Sequence, residues 1–340
     1  MNENALRAFR FWETIDKVVT RKKVTGERRQ SLYPSEASVV ATDPETGYKE
    51  VLGGCIRKTW YRLMGFPQSN PATLKSLHTF AFGDYVESYI RDLAKRAGVF
   101  DNASVKFWDK GSGVSGELDL TLDLSNNKNV IKYLSKDESS PYIITEVKST
   151  WGGKINMHGE ESGSAKHLFD HHEGRGRNKV FVRAEPKESN LLQLVVYLYV
   201  YKDDPNLLGG KLVYMLRDNL NHTEFDVILV KEGDKHRVRV NGETILSFYV
   251  EDIYDRYKQI AQKVNSDVIE LRNGTKTEDL IPPDRDYILR YTLEEAEKLH
   301  DIGKISATKL KNARANKPVG DWQCTYCSYK NLCWNLNNNQ

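Results

Sequence analysis

Two rhythms of apolar and polar residues run along this chain. Val114-Ser115-Gly116-Glu117-Leu118-Asp119-Leu120-Thr121-Leu122-Asp123-Leu124 alternates, which predicts a half-buried strand entered through Gly116. Pro141 to Thr150, P-Y-I-I-T-E-V-K-S-T, is rich in β-branched and aromatic residues. It opens on a proline that needs no ladder hydrogen bond, so it reads as a buried strand. Ser104 to Trp108, Gly210 to Leu216, Phe225 to Lys231 and His236 to Val240 add strands, and Asn241-Gly242 is a hairpin-turn signal. Helical spacing marks Leu6 to Val19, Cys55 to Met64, Thr73 to Ala97 (ended by Gly98) and Asn190 to Tyr199. A long helix is expected from about Thr244 to Leu271, with Ile253, Tyr257, Ile260, Val264 and Val268 as its core stripe. Asp43 to Gly47 is turn chemistry, Ile281-Pro282-Pro283 breaks the chain, Thr292 caps a helix, and Lys304 to Lys317 is a second, basic helix or turn. The expected fold is α/β, a central mixed sheet flanked by helices. Its parts would be an N-terminal helical region (1–100), a core (101–275) and a C-terminal helical tail (276–340), integrated as one domain.

Charge enters this pattern at unusual places. Glu146 and Lys148 are two apart on an apolar strand, so both side chains leave the same face. A surface ion pair would be the plain reading, but a charge among such neighbours must be paired or must hold a metal. Asp119 supplies a second carboxylate on the neighbouring strand, across a polar loop from Ser125 to Ser140. Two carboxylates converging across strands suit a hard divalent cation, Mg²⁺ or Mn²⁺. The lysine would assist an attacking water or stabilise charge on a phosphoryl oxygen.

Downstream, Gln193 and Tyr197 lie one turn apart on a helix, as Q-x-x-x-Y. G-x-x-D (Gly116, Asp119), then a strand with E-x-K (Glu146, Lys148), then a helix with Q-x-x-x-Y, resembles RecB-like nucleases of the PD-(D/E)XK superfamily. The resemblance implies that Asp119, Glu146 and the Val147 carbonyl bind the metal and that Lys148 activates water. Gln193 and Tyr197 would support the site and touch DNA. The family's helix with G-x-x-x-H-E corresponds to Phe82 to Ile90, where Glu87 fills the histidine slot four after Gly83. Glu87 is the expected further ligand, ranked above His78, which is expected at or before the start of that helix.

Cys55 stands alone, and Cys324, Cys327 and Cys333 form C-x-x-C-x-x-x-x-x-C. Without the family, structural zinc is the commoner use of four cysteines, but zinc sites usually come as two close pairs. One early cysteine plus a late triplet resembles the iron–sulfur subgroup, which includes CRISPR-associated exonucleases and AddB-type nucleases. There the four thiolates hold a 4Fe–4S cluster that clasps the tail to the N-terminal region.

Composition adds bounds. The 340 residues carry a formal net charge of +3, too small to imply nucleic acid by itself. No apolar run is long enough to span a bilayer, which excludes a helical membrane protein. Cysteines consumed by a cluster, and an N-terminus without a signal-peptide core, lead us to expect a reducing cytoplasm. Arg21, Lys22, Lys23, Arg28 and Arg29 follow the first helix and suit phosphates or a docked partner as well as plain solvent. Residues 151–190 read as a mobile, substrate-handling loop, with Arg175, Arg177, Lys179 and Arg183 for phosphates and Trp151 or Phe169 for stacking. Zinc on His167, His171 and His172 is the lesser reading of that stretch.

The expectation is a metal-dependent deoxyribonuclease, an exonuclease on DNA ends or single strands in recombination, repair or replication. Its size and long extra segments suit a bacteriophage or mobile-element enzyme. A helicase or recombination protein is a possible partner. The rival reading is a catalytically silent DNA-binding scaffold with the same fold and cluster.

Overall fold

The computed structural model describes residues 31–43, 46–131, 140–152, 165–173, 180–244 and 247–336. The expected first helix and the basic run after it lie outside the described residues, as do Arg175, Arg177 and Lys179.

The architecture is α/β, with a central mixed sheet flanked by helices. The strands are β1 (Ser38–Thr42), β2 (Lys49–Gly53), β3 (Phe100–Asp109), β4 (Val114–Asp123), β5 (Tyr142–Thr150), β6 (His171–Glu173), β7 (Val180–Val182), β8 (Leu207–Leu216), β9 (His222–Glu232), β10 (Lys235–Val240) and β11 (Glu243–Thr244). Seven of them form the main sheet, in the order β11-β10-β9-β8-β5-β4-β3. β5 and β8 pair in parallel, Glu146 opposite Leu212 and Lys148 opposite Tyr214, while the other neighbours are antiparallel.

The main helices are α1 (Ile56–Leu63), α2 (Leu74–Arg96), α3 (Glu188–Val200), α4 (Val250–Arg272), α5 (Leu293–Asp301) and α6 (Ala307–Arg314), followed by two short tail helices, α7 (Trp322–Thr325) and α8 (Lys330–Trp334). α3 is apolar nearly all round, with Leu191, Leu192 and Leu194 to Leu198 buried, so it has to sit inside the protein. It covers the sheet face that carries Ile144, Leu212 and Tyr214, and α4, α1 and β1 complete that layer. α2 covers the opposite face, where Val86 packs on Val147 and Met215.

The three expected regions interlock. Leu32 bridges to Val114, and Asp286 caps α1 by accepting from the Ile56 N–H at 2.7 Å. The β1–β2 hairpin was not anticipated beyond its turn. α4 starts at Val250 rather than near Thr244, because Glu243 and Thr244 complete the Asn241-Gly242 hairpin as β11. Both turn residues take positive φ, 48° and 85°, as a two-residue hairpin loop of this kind requires. Much of the 151–190 stretch lies outside the described residues; within its described part, Ala165 and Leu168 are wholly buried, and β6 pairs with β7.

One buried charge ties the helical layer together. Asp267 on α4 is inaccessible, accepts from Trp60 Nε1 at 2.6 Å and pairs with Lys263 at 2.6 Å. Asp267→Ala would strand the buried indole N–H. An expected loss of about 2–3 kcal/mol follows, with Asp267→Asn losing less because it keeps an acceptor. Urea unfolding of the two variants checks it.

Candidate active site and cysteine cavity

The β4–β5 ladder runs from Asp123 opposite Tyr142 to Leu120 opposite Thr145 and stops there. The next residue on each strand is a carboxylate, Asp119 and Glu146. Where the strands part, Asp119 Oδ2 accepts from the Val147 N–H at 2.9 Å, so the side chain replaces a ladder partner. At Gly116, on β4 opposite Phe107, a Cβ would lie 2.8 Å from the Phe107 ring and 2.9 Å from Pro34 Cγ. The glycine of G-x-x-D is thus a matter of space.

Glu146 is fully buried. Burial first, and then the Asp119 charge, push its carboxyl up to about 8, against the pull of Lys148. Lys148 donates to Glu146 Oε1, while Glu146 Oε2 is buried and meets no donor among the described residues. Asp119 is also raised by burial, although Lys148 and the Val147 N–H favour its charged form. For Lys148, burial works downward, but Glu146 and Asp119 outweigh it, so the ammonium is held above its ordinary range. Glu87 faces the same site from α2. Burial, then Asp119, push it up to about 7, with Arg91 and Lys148 opposing. Arg91 bonds Glu87 at 2.7 Å from one helical turn on. That counter-ion was missed, although the i, i+4 spacing of Glu87 and Arg91 was there to be read. Lys187 and Arg217, near the end of β5, were missed as well.

Gln193 Nε2 donates to Tyr197 Oη at 2.9 Å, and the Tyr197 hydroxyl donates to the Glu117 carbonyl at 3.1 Å. The pair braces α3 against β4 two residues before Asp119. Tyr197 is buried and its ring meets Phe107 edge-on. His78 lies inside α2 rather than at its start, about 13 Å along the helix axis from Glu87. The histidine trio, the lesser reading of its stretch, forms no ligand group among the described residues. His171 and His172 are consecutive on a strand and leave opposite faces, and His171 Nδ1 bonds the Phe169 carbonyl at 2.8 Å. Phe169 packs against the core, Trp151 is exposed, and Arg183 pairs with Glu243.

The four cysteines line one cavity of about 260 Å³, shared with Lys58, Tyr61 and Arg285. All four are free thiols. Cys55 is the N-cap of α1 and is delivered by Gly53 and Gly54, where any Cβ would lie 2.2 and 2.5 Å from the carbonyl oxygens of Ala37 and Glu36. Gly53 also takes φ 89°, a conformation that favours glycine. Cys324 is on α7, Cys327 in the turn after it and Cys333 on α8. Burial, then the Asp286 charge, push the Cys55 thiol up to about 11; burial, then Cys55, push Cys324 up to about 12. The tail docks independently of the sulfurs: Asn70 N–H donates to the Ser328 carbonyl at 2.8 Å, and Tyr61 stacks on Tyr329 at 5.4 Å.

Among the described residues, no three His, Cys, Asp or Glu side chains form a group that could hold a metal ion. At the carboxylates, Lys148 and Arg91 are the bonded counter-ions. The donor sets are nonetheless chemically distinct: oxygen only at the strand split, sulfur only at the cavity. No family model, curated protein or solved structure matches this chain. Among the described residues, no helix is long and apolar enough to cross a membrane.

Proposed function

We propose that the chain is a divalent-metal-dependent nuclease that hydrolyses DNA phosphodiesters, acting as an exonuclease on DNA ends or single strands. Glu146 carries the reading: a fully buried carboxylate with one oxygen unmet by any donor among the described residues, Asp119 beside it and Lys148 on its other oxygen. Crowded, desolvated carboxylates are poor structural elements, and their oxygens suit Mg²⁺ or Mn²⁺. Asp119, Glu146, the Val147 carbonyl and Glu87 would hold the ion, which supplies charge neutralisation and Lewis-acid activation.

The chain's own groups do the rest. Lys148 Nζ holds its proton near the phosphoryl oxygens, where a fixed ammonium stabilises developing charge. Glu146 Oε1 orients that ammonium, and the Gln193–Tyr197 brace keeps the strand split at a fixed width. The four sulfurs suit a 4Fe–4S cluster, because each thiolate of such a cluster binds a different iron and need not converge on one point. The cavity then closes the tail over α1.

The test is cleavage of labelled single- and double-stranded DNA in Mg²⁺ or Mn²⁺ by anaerobically purified wild type and Lys148→Ala. We expect cleavage in the wild type and a loss of about 100- to 10,000-fold in the variant, with DNA binding kept. Tight binding without cleavage in either metal would replace the nuclease with the scaffold reading.

A further inference from the structure

Residues 292–318 form a small unit on a stem. At its base two chain segments run side by side: the Tyr291 N–H donates to the Val319 carbonyl at 2.8 Å, and the Asp321 N–H to the Ile288 carbonyl at 2.8 Å. Beyond that stem α5 and α6 pack as a helical hairpin, turned through Gly303 at φ 73°. Ala296, Ile305 and Leu310 make its core, which is separate from the main one.

Charge is divided between the two halves of the hairpin. α5 holds Glu294, Glu295, Glu297 and Asp301, whereas Ile302 to Gly320 holds Lys304, Lys309, Lys311, Arg314 and Lys317 and no Asp or Glu. Two of those cations are used inside the fold. Lys304 Nζ meets Glu50 on β2 at 2.6 Å, and Arg314 meets Glu297 at 3.0 Å. Lys309, Lys311 and Lys317 are exposed and have no carboxylate partner among the described residues. Leu310 points into the hairpin core, so Lys309 and Lys311 flank the outward face of α6, with Thr308 and Asn312 between them. An ordinary solvated face mixes signs, as α4 does with Asp255, Lys258, Glu270 and Arg272 on its exposed side. The α6 side carries one sign only, and such a patch attracts a polyanion.

The rest of the surface narrows the partner. No large apolar side chain is exposed between Glu294 and Asp321, so there is neither an anchor for a protein groove nor a wedge for a lipid boundary. No aromatic residue occurs between Thr292 and Asp321 either, so unpaired bases would find no ring to stack on. What remains is ammonium, hydroxyl and amide groups, a set that contacts phosphates. We propose that the α6 side of this hairpin, through Lys309, Lys311 and Lys317, holds the phosphate backbone of double-stranded nucleic acid without regard to sequence. This goes beyond the nuclease reading, because the surface would hold a duplex whether or not the carboxylates cut one.

The experiment is equilibrium binding of two labelled DNA duplexes of unrelated sequence to the full chain, in chelator, across a salt series. Wild type is compared with the triple variant K309Q/K311Q/K317Q, with Lys311→Arg and with Lys298→Gln on α5, and unfolding temperature is the folding control. The triple variant should bind both duplexes about 10-fold or more weakly at low salt and flatten the salt slope by about 2.7, or about 0.9 for each phosphate lost. Lys311→Arg should keep affinity and slope, and so should Lys298→Gln, whose cation is already paired with Glu294. A folded triple variant with wild-type affinity and slope overturns the surface, and so does a wild type that binds neither duplex. A loss confined to one sequence overturns backbone recognition. Vesicles of phosphatidylserine and phosphatidylcholine, and polyglutamate, are run alongside. If either loses binding to the triple variant while the duplexes do not, the patch serves a membrane or an acidic protein and the duplex assignment falls. Cleavage in Mg²⁺ is read separately: lysine-dependent binding without cleavage keeps this surface and drops the nuclease, and cleavage with lysine-independent binding does the reverse.

Discussion

Above about pH 8, Glu146→Gln should make the metal-free protein more stable than wild type while abolishing cleavage. Glu146 titrates near 8 in the folded chain because burial and Asp119 disfavour its charge. In the unfolded chain it returns to the ordinary carboxylate range. With the folded value raised, the native state holds the extra proton. Its stabilising contribution is complete below the unfolded value and is lost as pH rises through about 8. Glu87, pushed up to about 7, adds to the same slope. Glutamine mimics the protonated form and still offers Oε1 to Lys148, whose charge stays balanced by Asp119. We expect near-equality in mild acid and, above pH 8, a gain of about 2 kcal/mol, or roughly 4 °C in melting temperature. Mg²⁺ or Mn²⁺ should reverse the order, because the ion binds the ionised carboxylates and stabilises only the wild type, increasingly as pH rises. Calorimetry across pH with and without metal reads all of this. A variant less stable than wild type above pH 8, or one that still cleaves, would show that Glu146 is an ordinary structural carboxylate.

The same two strands show how far the sequence could be read. Alternation located β4 to within one residue, since one buried face and one half-open face leave a period of two, and β-branched and aromatic content located β5 to within one. That period also put Glu146 and Lys148 on one side. Alternation could not show that the ladder ends at Leu120, the event that places Asp119 beside Glu146 rather than in a regular pair. β1 and β2 escaped because five-residue strands around a turn carry too few positions to establish a period. Tyr197 was placed correctly on α3, but its burial could not be read, because that is set by Glu117 and Phe107, residues far away in the chain. Lys187 and Arg217 stood out in no local pattern; their contacts with Thr150 and Ser149 come only through β5.

If the cavity holds the proposed cluster, replacing Cys55 or Cys333 with alanine should remove it and loosen the tail before it harms the chemistry. Cys55 anchors the cavity from α1 and Cys333 from α8, so either variant unlinks the two ends of the chain. In the metal-free state the Cys55 and Cys324 thiols are held up near 11 and 12, so loading must expel protons and should weaken steeply on acidification. The loss will not be total. Asn70, Asp321 and the Tyr61–Tyr329 stack hold the tail by themselves, with Asp321 accepting from the Ile288 N–H at 2.6 Å. We therefore expect a melting temperature lower by about 10 °C, consistent with a loss of several kcal/mol at about 2–4 °C per kcal/mol. Proteolysis should begin beyond α6, with the β4–β5 site still folded. Metal analysis of anaerobically purified wild type distinguishes the donors' use: four irons with four sulfides for the cluster, one zinc for a structural site. Wild type carrying neither metal, with alanine variants of unchanged melting temperature, would leave the cavity as simple packing. In that case the clasp belongs to the hydrogen bonds and the stacked tyrosines alone.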